Sequence, residues 1–322
     1  MLAVIGDRYG SSDVLRVDGV TKPVPGPGEV LVQVRAASVN TADLDHLQGR
    51  PWLTRLGTGL RRPRKRIPGL DMAGIVEEVG PDVASTTVGA EVWADLFSTR
   101  TGAFAEFVCV PETAVRPLPA GLTFEKAATV PHSAVLALQA LKGRGVSPGD
   151  RVLVNGGGGC VGPFAIQIAR ALGAEVTGVD HTDKLDLMRS VGADHVIDYT
   201  TDDVTRSGLR YDLIVDIAAT RSVIAFKRCL TENGAYVHIA RNLAGFVSAA
   251  VLGELVGGRR RMGIFMWVPN HAEDMSRIGD LILSGAVRPA IDRVYPLAEA
   301  PQAVRYQESG HARGKVVLAM GS

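Results

Sequence analysis

The chain has 322 residues, of which 46% are hydrophobic and 21% are charged, a composition typical of a globular protein with a sizeable core. Its 35 basic and 34 acidic residues give a formal net charge of +1, which excludes a long-range attraction to nucleic acid or to an anionic membrane. Three widely separated cysteines, Cys109, Cys160 and Cys229, form neither a CxxC pair nor an even disulfide framework. This cysteine usage fits a reducing compartment.

The first 120 residues contain short β-like runs separated by proline and glycine. After the turn cluster PVPGPG at residues 23–28 come EVLVQVRAAS, DMAGIVEEVG, AEVWADL and AFAEFVCV. Runs of this length, with β-branched residues and frequent turn signals, predict a small all-β barrel.

Beyond residue 123 strands and helices alternate. RVLVN is followed by a glycine stretch, by the helical pattern VGPFAIQIARALG and by the strand EVTGVD. A second helix, KLDLMRSVGA, leads to the strands HVIDY, DLIVD, AYVHIA and MGIFMW, and the helix HAEDMSRIGDLILSGAV and the strand GKVVLAM complete the chain. This alternation predicts an α/β fold with a doubly wound parallel sheet.

The longest apolar run is LAGFVSAAVLGELV at residues 243–256, which contains Glu254. A membrane-spanning helix needs about 20 apolar residues, so this run indicates a buried or pocket-lining helix. The amino terminus lacks the pattern of a secretory signal. We therefore expect a cytoplasmic protein with no membrane partner.

The glycine stretch VLVNGGGGCVGP fits a dinucleotide-binding turn. Residues 157–162 satisfy GxGxxG between a strand and a helix, and an acidic residue, Asp180, ends the next strand. Glycine allows close approach to a pyrophosphate, and the acidic residue accepts hydrogen bonds from a ribose 2′-OH. The candidate turn residues are Gly157, Gly159, Cys160, Val161 and Gly162. The alternative is a flexible loop.

Two residues bear on the choice of nicotinamide cofactor. Asp180 would repel a 2′-phosphate and favours NAD(H), whereas Lys184 could pair with such a phosphate or be a solvated helix residue. We expect NAD(P)H as the cofactor, with NAD(H) preferred because of Asp180.

Several segments together resemble the medium-chain dehydrogenase/reductase superfamily. They are PGPGEVLVQVRAASVNTADL, GLDMAGIVEEVG, GAFAEFVCVPE, NGGGGCVGPFAIQIARALGAEVTGV, VGADHVIDY and ESGHARGKVVL. They look most like the zinc-free quinone-oxidoreductase branch, which includes the zeta-crystallin-like and reticulon-4-interacting-protein-like enzymes. The resemblance implies a GroES-like β-barrel catalytic domain at 1–124 and 271–322, with a Rossmann domain at 125–270 between them.

The same resemblance implies that no metal is bound. In zinc-dependent relatives a cysteine occupies the position of Asn40, and a His-Glu pair occupies that of Leu70 and Asp71. Asparagine and leucine supply neither the thiolate nor the imidazole of a Cys/His zinc site. Hydride transfer would then rely on positioning and on hydrogen-bond donors of the protein.

The resemblance also implies roles for two polar residues. Asn40, in the pattern NxxD with Asp43, would line the cleft beside the nicotinamide, although Asn-Thr-Ala-Asp is also an ordinary helix-capping sequence. Tyr199 would pack near the adenine, or would be a half-buried tyrosine at the end of a strand.

The chain departs from its relatives where they carry polar groups. Asp45 occupies a position where quinone-oxidoreductase relatives often have tyrosine, Pro51-Trp52 replaces the enoyl-reductase tyrosine, and Leu136 replaces a threonine. The nearby candidates for a proton donor are Asp45, His46 and His132, of which we prefer Asp45.

We therefore expect a zinc-independent NAD(P)H oxidoreductase that transfers hydride to a quinone or an activated C=C in a small-molecule substrate. The alternatives are a metal-free alcohol or ketone dehydrogenase and a non-catalytic dinucleotide- or RNA-binding protein. The basic runs at residues 61–66 and 259–261 are interpreted as solvated loops, so no nucleic acid partner is expected. The family resemblance suggests a homodimer.

Overall fold

The computed structural model describes residues 1–52, 55–143, 145–219, 221–239, 261–264 and 268–321. The strands are β1 (Leu2–Gly6), β2 (Leu15–Gly19), β3 (Glu29–Val39), β4 (Asp71–Val79), β5 (Glu91–Asp95), β6 (Phe107–Pro111), β7 (Arg116–Pro117), β8 (Arg151–Asn155), β9 (Glu175–Asp180), β10 (His195–Asp198), β11 (Tyr211–Asp216), β12 (Leu230–His238), β13 (Arg261–Ile264), β14 (Ile291–Pro296) and β15 (Lys315–Ala319). The helices are α1 (Thr41–Gln48), α2 (Arg55–Thr58), α3 (Phe124–Ala127), α4 (Ser133–Lys142), α5 (Gly162–Ala171), α6 (Leu185–Ser190), α7 (Val223–Lys227), α8 (Ala272–Leu283) and α9 (Ala300–Glu308).

The chain forms two compact units. Unit 1 comprises Met1–Val135, Pro269–Gly279 and Ile291–Ser322, and unit 2 comprises Leu136–Val268 and Asp280–Ala290. Both ends of the chain therefore belong to unit 1, the arrangement that the family resemblance implies.

Unit 1 is built mainly on antiparallel strands. Its larger sheet has the order β14-β15-β3-β4-β5-β7, with β6 paired to β3, and β1 and β2 form a separate hairpin. The carboxyl-terminal strand β15 pairs with β3, where Val316 lies opposite Val39, so the two chain ends share one sheet. Valines of β3 face an apolar core, and burying each such side chain contributes roughly 1.5–3 kcal/mol.

Unit 2 contains the predicted doubly wound sheet. Its described strands follow the order β10-β9-β8-β11-β12-β13, and every pair is parallel. This is the strand order of a Rossmann fold, in which the order reverses between β8 and β11 and ligands bind at the carboxyl ends of the strands. The predicted helix at 243–256 and residues 265–267 of the predicted strand MGIFMW lie outside the described residues.

Helix α5 forms as its apolar spacing predicts. Phe164, Ala165 and Ile168 are buried at that spacing. Gly173, with φ of +88°, follows the helix in a left-handed conformation that glycine adopts without strain.

The limits of the compact units differ from the predicted domain limits. Unit 1 extends past residue 124 because α3 packs on β3 and β4, and because Ser133 is hydrogen-bonded to Asn40. Residues 280–290 join unit 2, where Gln167 and Arg288 exchange two hydrogen bonds: the Gln167 amide donates to the Arg288 carbonyl, and the Arg288 N–H donates to Gln167 Oε1.

Cys109, Cys160 and Cys229 are free thiols. Within the described part of the chain, no helix has the length and apolar character needed to cross a membrane.

Candidate active site

The glycine turn of unit 2 joins β8 to α5. Strand β8 ends at Asn155 and α5 begins at Gly162, so the elements that the sequence fingerprint requires are both present. Gly156 has φ of +91°, which favours glycine. The N–H groups of Gly156 and Gly157 donate to the carbonyl of Val179 at 2.9 and 3.0 Å, and these bonds hold the turn against β9.

The glycines of the turn have different steric roles. A Cβ atom on Gly157 would lie 2.5 Å from Met188 Sδ, and one on Gly162 would lie 2.3 Å from the Gly156 carbonyl oxygen. At Gly159 the nearest atom would be the same oxygen at 3.7 Å, an ordinary contact. Gly157 and Gly162 therefore allow close packing within unit 2, whereas Gly159 leaves open space beside the backbone. An open backbone at this position suits the approach of a pyrophosphate.

The two residues between Gly159 and the start of α5 are enclosed. Cys160 and Val161 are buried, and Val161 is the residue immediately before α5. Cys160 therefore contributes a compact, buried side chain to the turn.

Asp180 connects the end of β9 to the glycine turn. Its Oδ2 accepts the N–H of Gly158 at 2.9 Å, and its Oδ1 accepts the N–H of His181 at 2.8 Å. Lys184 Nζ lies 3.7 Å from Asp180 Oδ1, and both side chains are largely buried. The structure therefore brings together the glycine turn, the Asp180 carboxylate predicted to bind the ribose, and Lys184. Asp180 favours NAD(H), whereas Lys184 could pair with the 2′-phosphate of NADP(H).

Tyr199 lies beside this loop. Its N–H donates to the carbonyl of Asp180 at 3.2 Å, and its ring meets the His181 ring edge-on with the centroids 6.0 Å apart. The side chain is 49% exposed, so the ring has a free surface on which a planar base could stack.

Asn40 lies in unit 1 at the centre of a buried polar network. It precedes α1 as the N-cap residue, and its N–H donates to Asp43 Oδ2 at 2.7 Å. Its side-chain Nδ2 donates to Asp71 Oδ2 at 2.9 Å, while Oδ1 accepts from Ser133 Oγ at 3.1 Å and from Lys315 Nζ at 2.5 Å. Asn40 therefore stands at the N-cap position with its backbone N–H bonded to Asp43, while its own side-chain amide is bonded at both ends to residues outside the helix.

The charged members of this network, Asp71 and Lys315, are 0% and 1% exposed. Lys315 Nζ lies 3.3 Å from Asp71 Oδ2. Asp71 also accepts the hydroxyl of Ser38 at 3.0 Å and the N–H of His132 at 2.7 Å. A buried ion pair is retained without a large cost only when further hydrogen bonds satisfy it, and this pair has them. Sequence reasoning missed Lys315, although a lysine beginning the apolar strand GKVVLAM is a signal for a buried charge.

His46 and Asp45 are half-buried on α1. The His46 ring lies 5.2 Å from the ring of Phe97, centroid to centroid. Burial, together with the positive charges of Lys65 and His132, lowers the pKa of His46 to about 4. His46 is therefore neutral near pH 7 and cannot act there as an imidazolium acid.

His132, the third predicted candidate, is paired with a carboxylate. Its Nδ1 lies 2.8 Å from Asp95 Oδ2, and both residues are buried. Burial alone would lower the pKa of His132, but the Asp95 charge outweighs it and raises that pKa. The structure thus shows a satisfied buried histidine at this position.

The interpretation of residues 61–66 as a solvated loop is wrong for Lys65. Arg62, Arg64 and Arg66 are exposed, but Lys65 is half-buried and its Nζ donates to the Leu96 carbonyl at 2.7 Å. Burial lowers the pKa of Lys65 to about 8. The cluster 259–261 lies largely outside the described residues.

No group of three or more His, Cys, Asp or Glu side chains suited to a metal ion occurs in the described ranges. At the position where zinc-dependent relatives carry ligands, the Lys315 ammonium is bonded to both Asn40 and Asp71. A bound ammonium and the lack of thiolate or imidazole ligands do not fit a Zn²⁺ ion there.

Two family models match the chain. Residues 26–120 match the alcohol dehydrogenase GroES-like domain, and residues 191–318 match a domain described as zinc-binding dehydrogenase. The two matches cover parts of unit 1 and unit 2.

Similarity to curated relatives and to solved structures covers nearly the whole chain. The NAD(P)H oxidoreductase RTN4IP1, mitochondrial, of Mus musculus is 33% identical over 351 residues, covering 99% of this chain and 89% of the relative. The trans-enoyl reductase pgmF of Aspergillus terreus is 32% identical, covering 91% of this chain and 86% of the relative. The structure of the quinone oxidoreductase from Coxiella burnetii superposes with a TM-score of 0.87 at 27% identity, covering 99% of both chains.

Proposed function

Because this chain belongs to the medium-chain dehydrogenase/reductase superfamily, in its quinone-oxidoreductase-like branch, we propose that it is an NAD(P)H-dependent reductase of quinones or activated C=C bonds. The observation that carries the proposal is the glycine turn between β8 and α5, in which the Gly158 N–H donates to Asp180. The reductase names of the relatives support the substrate class.

The residues of unit 2 fit a dinucleotide. The turn at 157–162 would hold the pyrophosphate, Asp180 and Lys184 would face the adenosine ribose, and Tyr199 would stack near the adenine. A reduced nicotinamide bound in this way supplies a hydride to an electron-poor carbon of the substrate.

We propose a preference for NAD(H). The Asp180 carboxylate is held in place by the N–H groups of Gly158 and His181, so it is preorganised to accept hydrogen bonds from ribose hydroxyls. Lys184 partly neutralises this carboxylate and would have to leave it to pair with a 2′-phosphate. Titration of the protein with NADH and with NADPH measures the preference directly.

The reacting end of the substrate would be bound by unit 1, at Asp45 and His46, and the buried Asn40 would act as a positioning residue. The network around Asn40 fixes the start of α1 and so positions the other two side chains on that helix. Neutral His46 can donate its ring N–H to a carbonyl oxygen. We propose that this chemistry is zinc-independent, because Lys315 and Asn40 replace the ligands that a metal would need.

The test is a comparison of acceptors in the presence of a chelator. Enones, quinones and simple aldehydes are each incubated with protein and NADH or NADPH, and loss of nicotinamide absorbance is followed. Turnover of enones or quinones supports the proposal. Turnover of aldehydes alone would indicate a metal-free alcohol or ketone dehydrogenase.

A non-catalytic role gives a different result in the same experiment. A dinucleotide-binding protein would bind NADH without turnover of any acceptor, and an RNA-binding protein would lose RNA affinity when the arginines at 61–66 are neutralised. Failure to bind either nucleotide would refute the enzyme proposal.

We further propose a cytoplasmic homodimer that acts on a small molecule and not on nucleic acid or a membrane. Sedimentation of the purified chain measures the oligomeric state. Fractionation of the source cells measures the location.

A further inference from the structure

Lys65 differs from its neighbours in the basic run. The flanking Arg64 and Arg66 are exposed, and Arg66 forms an ion pair with Asp7 at 2.5 Å. The Lys65 side chain instead points inward, where its ammonium donates to the Leu96 carbonyl at 2.7 Å. This bond uses one of the three N–H groups of the ammonium.

The charge state of Lys65 is set by its burial and by two nearby carboxylates. The carboxylates of Asp43 and Asp95 lie within electrostatic range and favour its charged form, while burial disfavours it. His46 also lies within electrostatic range and is neutral near pH 7, and His132 is paired with Asp95. Lys65 is therefore a cation near neutral pH with two N–H groups beyond the bond to Leu96.

A partly exposed aromatic ring lies beside this cluster. Phe97 directly follows Leu96, its side chain is 40% exposed, and its ring lies between those of His46 and His132, 5.2 and 6.3 Å away. The Phe97 N–H donates to Asp95 Oδ1 at 2.7 Å, which fixes this loop. Thus the carbonyl that binds Lys65 and a ring that can contact a flat conjugated substrate are adjacent in the chain.

The other titratable groups of this region are less suited to donate a proton. Burial, together with the nearby Asp71 charge, raises the pKa of Asp43 to about 7, but Asp43 is only 3% exposed and its carboxyl already accepts the Asn40 N–H, so this group does not face a substrate. His46 has no proton to give as an imidazolium at pH 7, because its pKa is about 4. A carboxylate at Asp45 would repel a developing oxyanion, whereas an ammonium attracts it.

We propose that Lys65 is a catalytic residue that binds the carbonyl oxygen of the substrate and protonates it after hydride arrival. This inference rests on the proposed reductase function. As the substrate takes a hydride at the β-carbon from the reduced nicotinamide, whose C–H bond breaks and which would be left oxidised, a new C–H bond forms, the C=C π bond breaks and its electron pair moves toward the carbonyl oxygen. The Lys65 N–H bond then breaks, its proton forms an O–H bond on the enolate, and the neutral amine recovers a proton from water.

Three variants test this assignment. Lys65→Met removes the ammonium, Arg62→Met removes an exposed cation of the same run as a matched control, and Asp45→Asn tests the alternative donor. The first readout uses no cofactor: 4-nitrophenol is titrated with protein, and the visible band of its phenolate reports the pKa of the bound probe. Wild type and R62M should lower that pKa relative to free 4-nitrophenol, and K65M should lose the effect.

The second readout is enone reduction as a function of pH. A general acid contributes about 10²- to 10⁴-fold, so K65M should lose at least about 10²-fold in kcat/KM. The wild-type rate should fall above pH about 8, where Lys65 loses its proton. The pH–rate profile of K65M should lack this descending limb. Cofactor affinity should be equal in all variants.

The outcomes separate the two proposals. If the wild type turns over and K65M keeps the same rate, the same fall in rate above pH about 8 and the same phenolate binding, the role of Lys65 is overturned. The reductase function would stay intact in that case. The role of Lys65 would also be overturned if D45N, but not K65M, lost the fall in rate above pH about 8. Absence of turnover by the wild type on any acceptor would refute the reductase function, and the phenolate titration would then still test the anion site.

Lys65→Arg covers the case in which K65M is poorly folded. Arginine keeps the positive charge but is not deprotonated in proteins, so K65R should retain phenolate binding and lose the limb near pH 8. An unchanged limb in K65R would contradict proton transfer from Lys65.

Discussion

Removing the Lys315 ammonium is expected to cost unit 1 a large part of its stability. Lys315 Nζ bonds to Asn40 Oδ1, Ser133 Oγ and Asp71 Oδ2, and Lys315 is 1% exposed. Burial already raises the pKa of Asp71 and the Lys315 charge opposes that rise, so in Lys315→Met the Asp71 carboxyl must either stay charged with only neutral donors or take up a proton. Breaking a buried ion pair from one side costs about 3–5 kcal/mol.

The assay is urea unfolding of the wild type and of K315M, with the free energy of unfolding extrapolated to water. Lys22→Met is the matched control, because Lys22 forms a 2.5 Å ion pair with Glu77 in which both side chains are more than one-third exposed. An exposed pair of this kind contributes about 0–1 kcal/mol. A loss in K315M no larger than that in K22M would refute the reasoning that the buried network stabilises unit 1.

Three further predictions concern the turn, the cofactor choice and pH. Gly162→Ala places a Cβ atom 2.3 Å from the Gly156 carbonyl oxygen, so it should destabilise the protein by about 1–3 kcal/mol in thermal unfolding. Gly159→Ala has space for its Cβ atom and should leave stability unchanged, but it should weaken NADH binding. Asp180→Ala should weaken NADH binding about tenfold in a fluorescence titration, and an unchanged affinity would remove the ribose assignment. The folded-state pKa of His46 is about 4, below the unfolded value, so its contribution to stability is complete above pH about 6.5 and is lost as the pH falls toward 4. His46→Gln should therefore show less loss of unfolding free energy between pH 7 and 4.5 than the wild type, and parallel pH profiles would contradict this.

The glycine turn and the parallel sheet of unit 2 could be predicted from the sequence because their signals are local. A strand, a glycine turn, a helix and an acidic residue follow one another within residues 151–180, and each element forms where its own pattern places it. The parallel sheet order then follows from right-handed crossover connections between successive strands. Asp180 reaches the turn because β9 lies beside β8.

The polar network of unit 1 was not predictable in this way. Lys315 meets Asn40 and Asp71 only because β15 pairs with β3, and the residues are 275 and 244 positions apart in the chain. Lys65 lies in a run whose other described side chains are mostly exposed, so composition alone predicts solvent exposure for it. The low pKa of His46 likewise depends on burial and on charges from distant segments. Asn40 was identified, but its partners Ser133 and Lys315 were not.

The most direct test of the central claim is a stopped-flow measurement with NADH or NADPH bound to the protein, mixed with an enone or a quinone in the presence of a chelator. We expect the nicotinamide absorbance to be lost at a rate that is set by the acceptor and unaffected by the chelator. A bound nucleotide whose absorbance does not change with any such acceptor, or a rate abolished by the chelator, would contradict a zinc-independent NAD(P)H reductase.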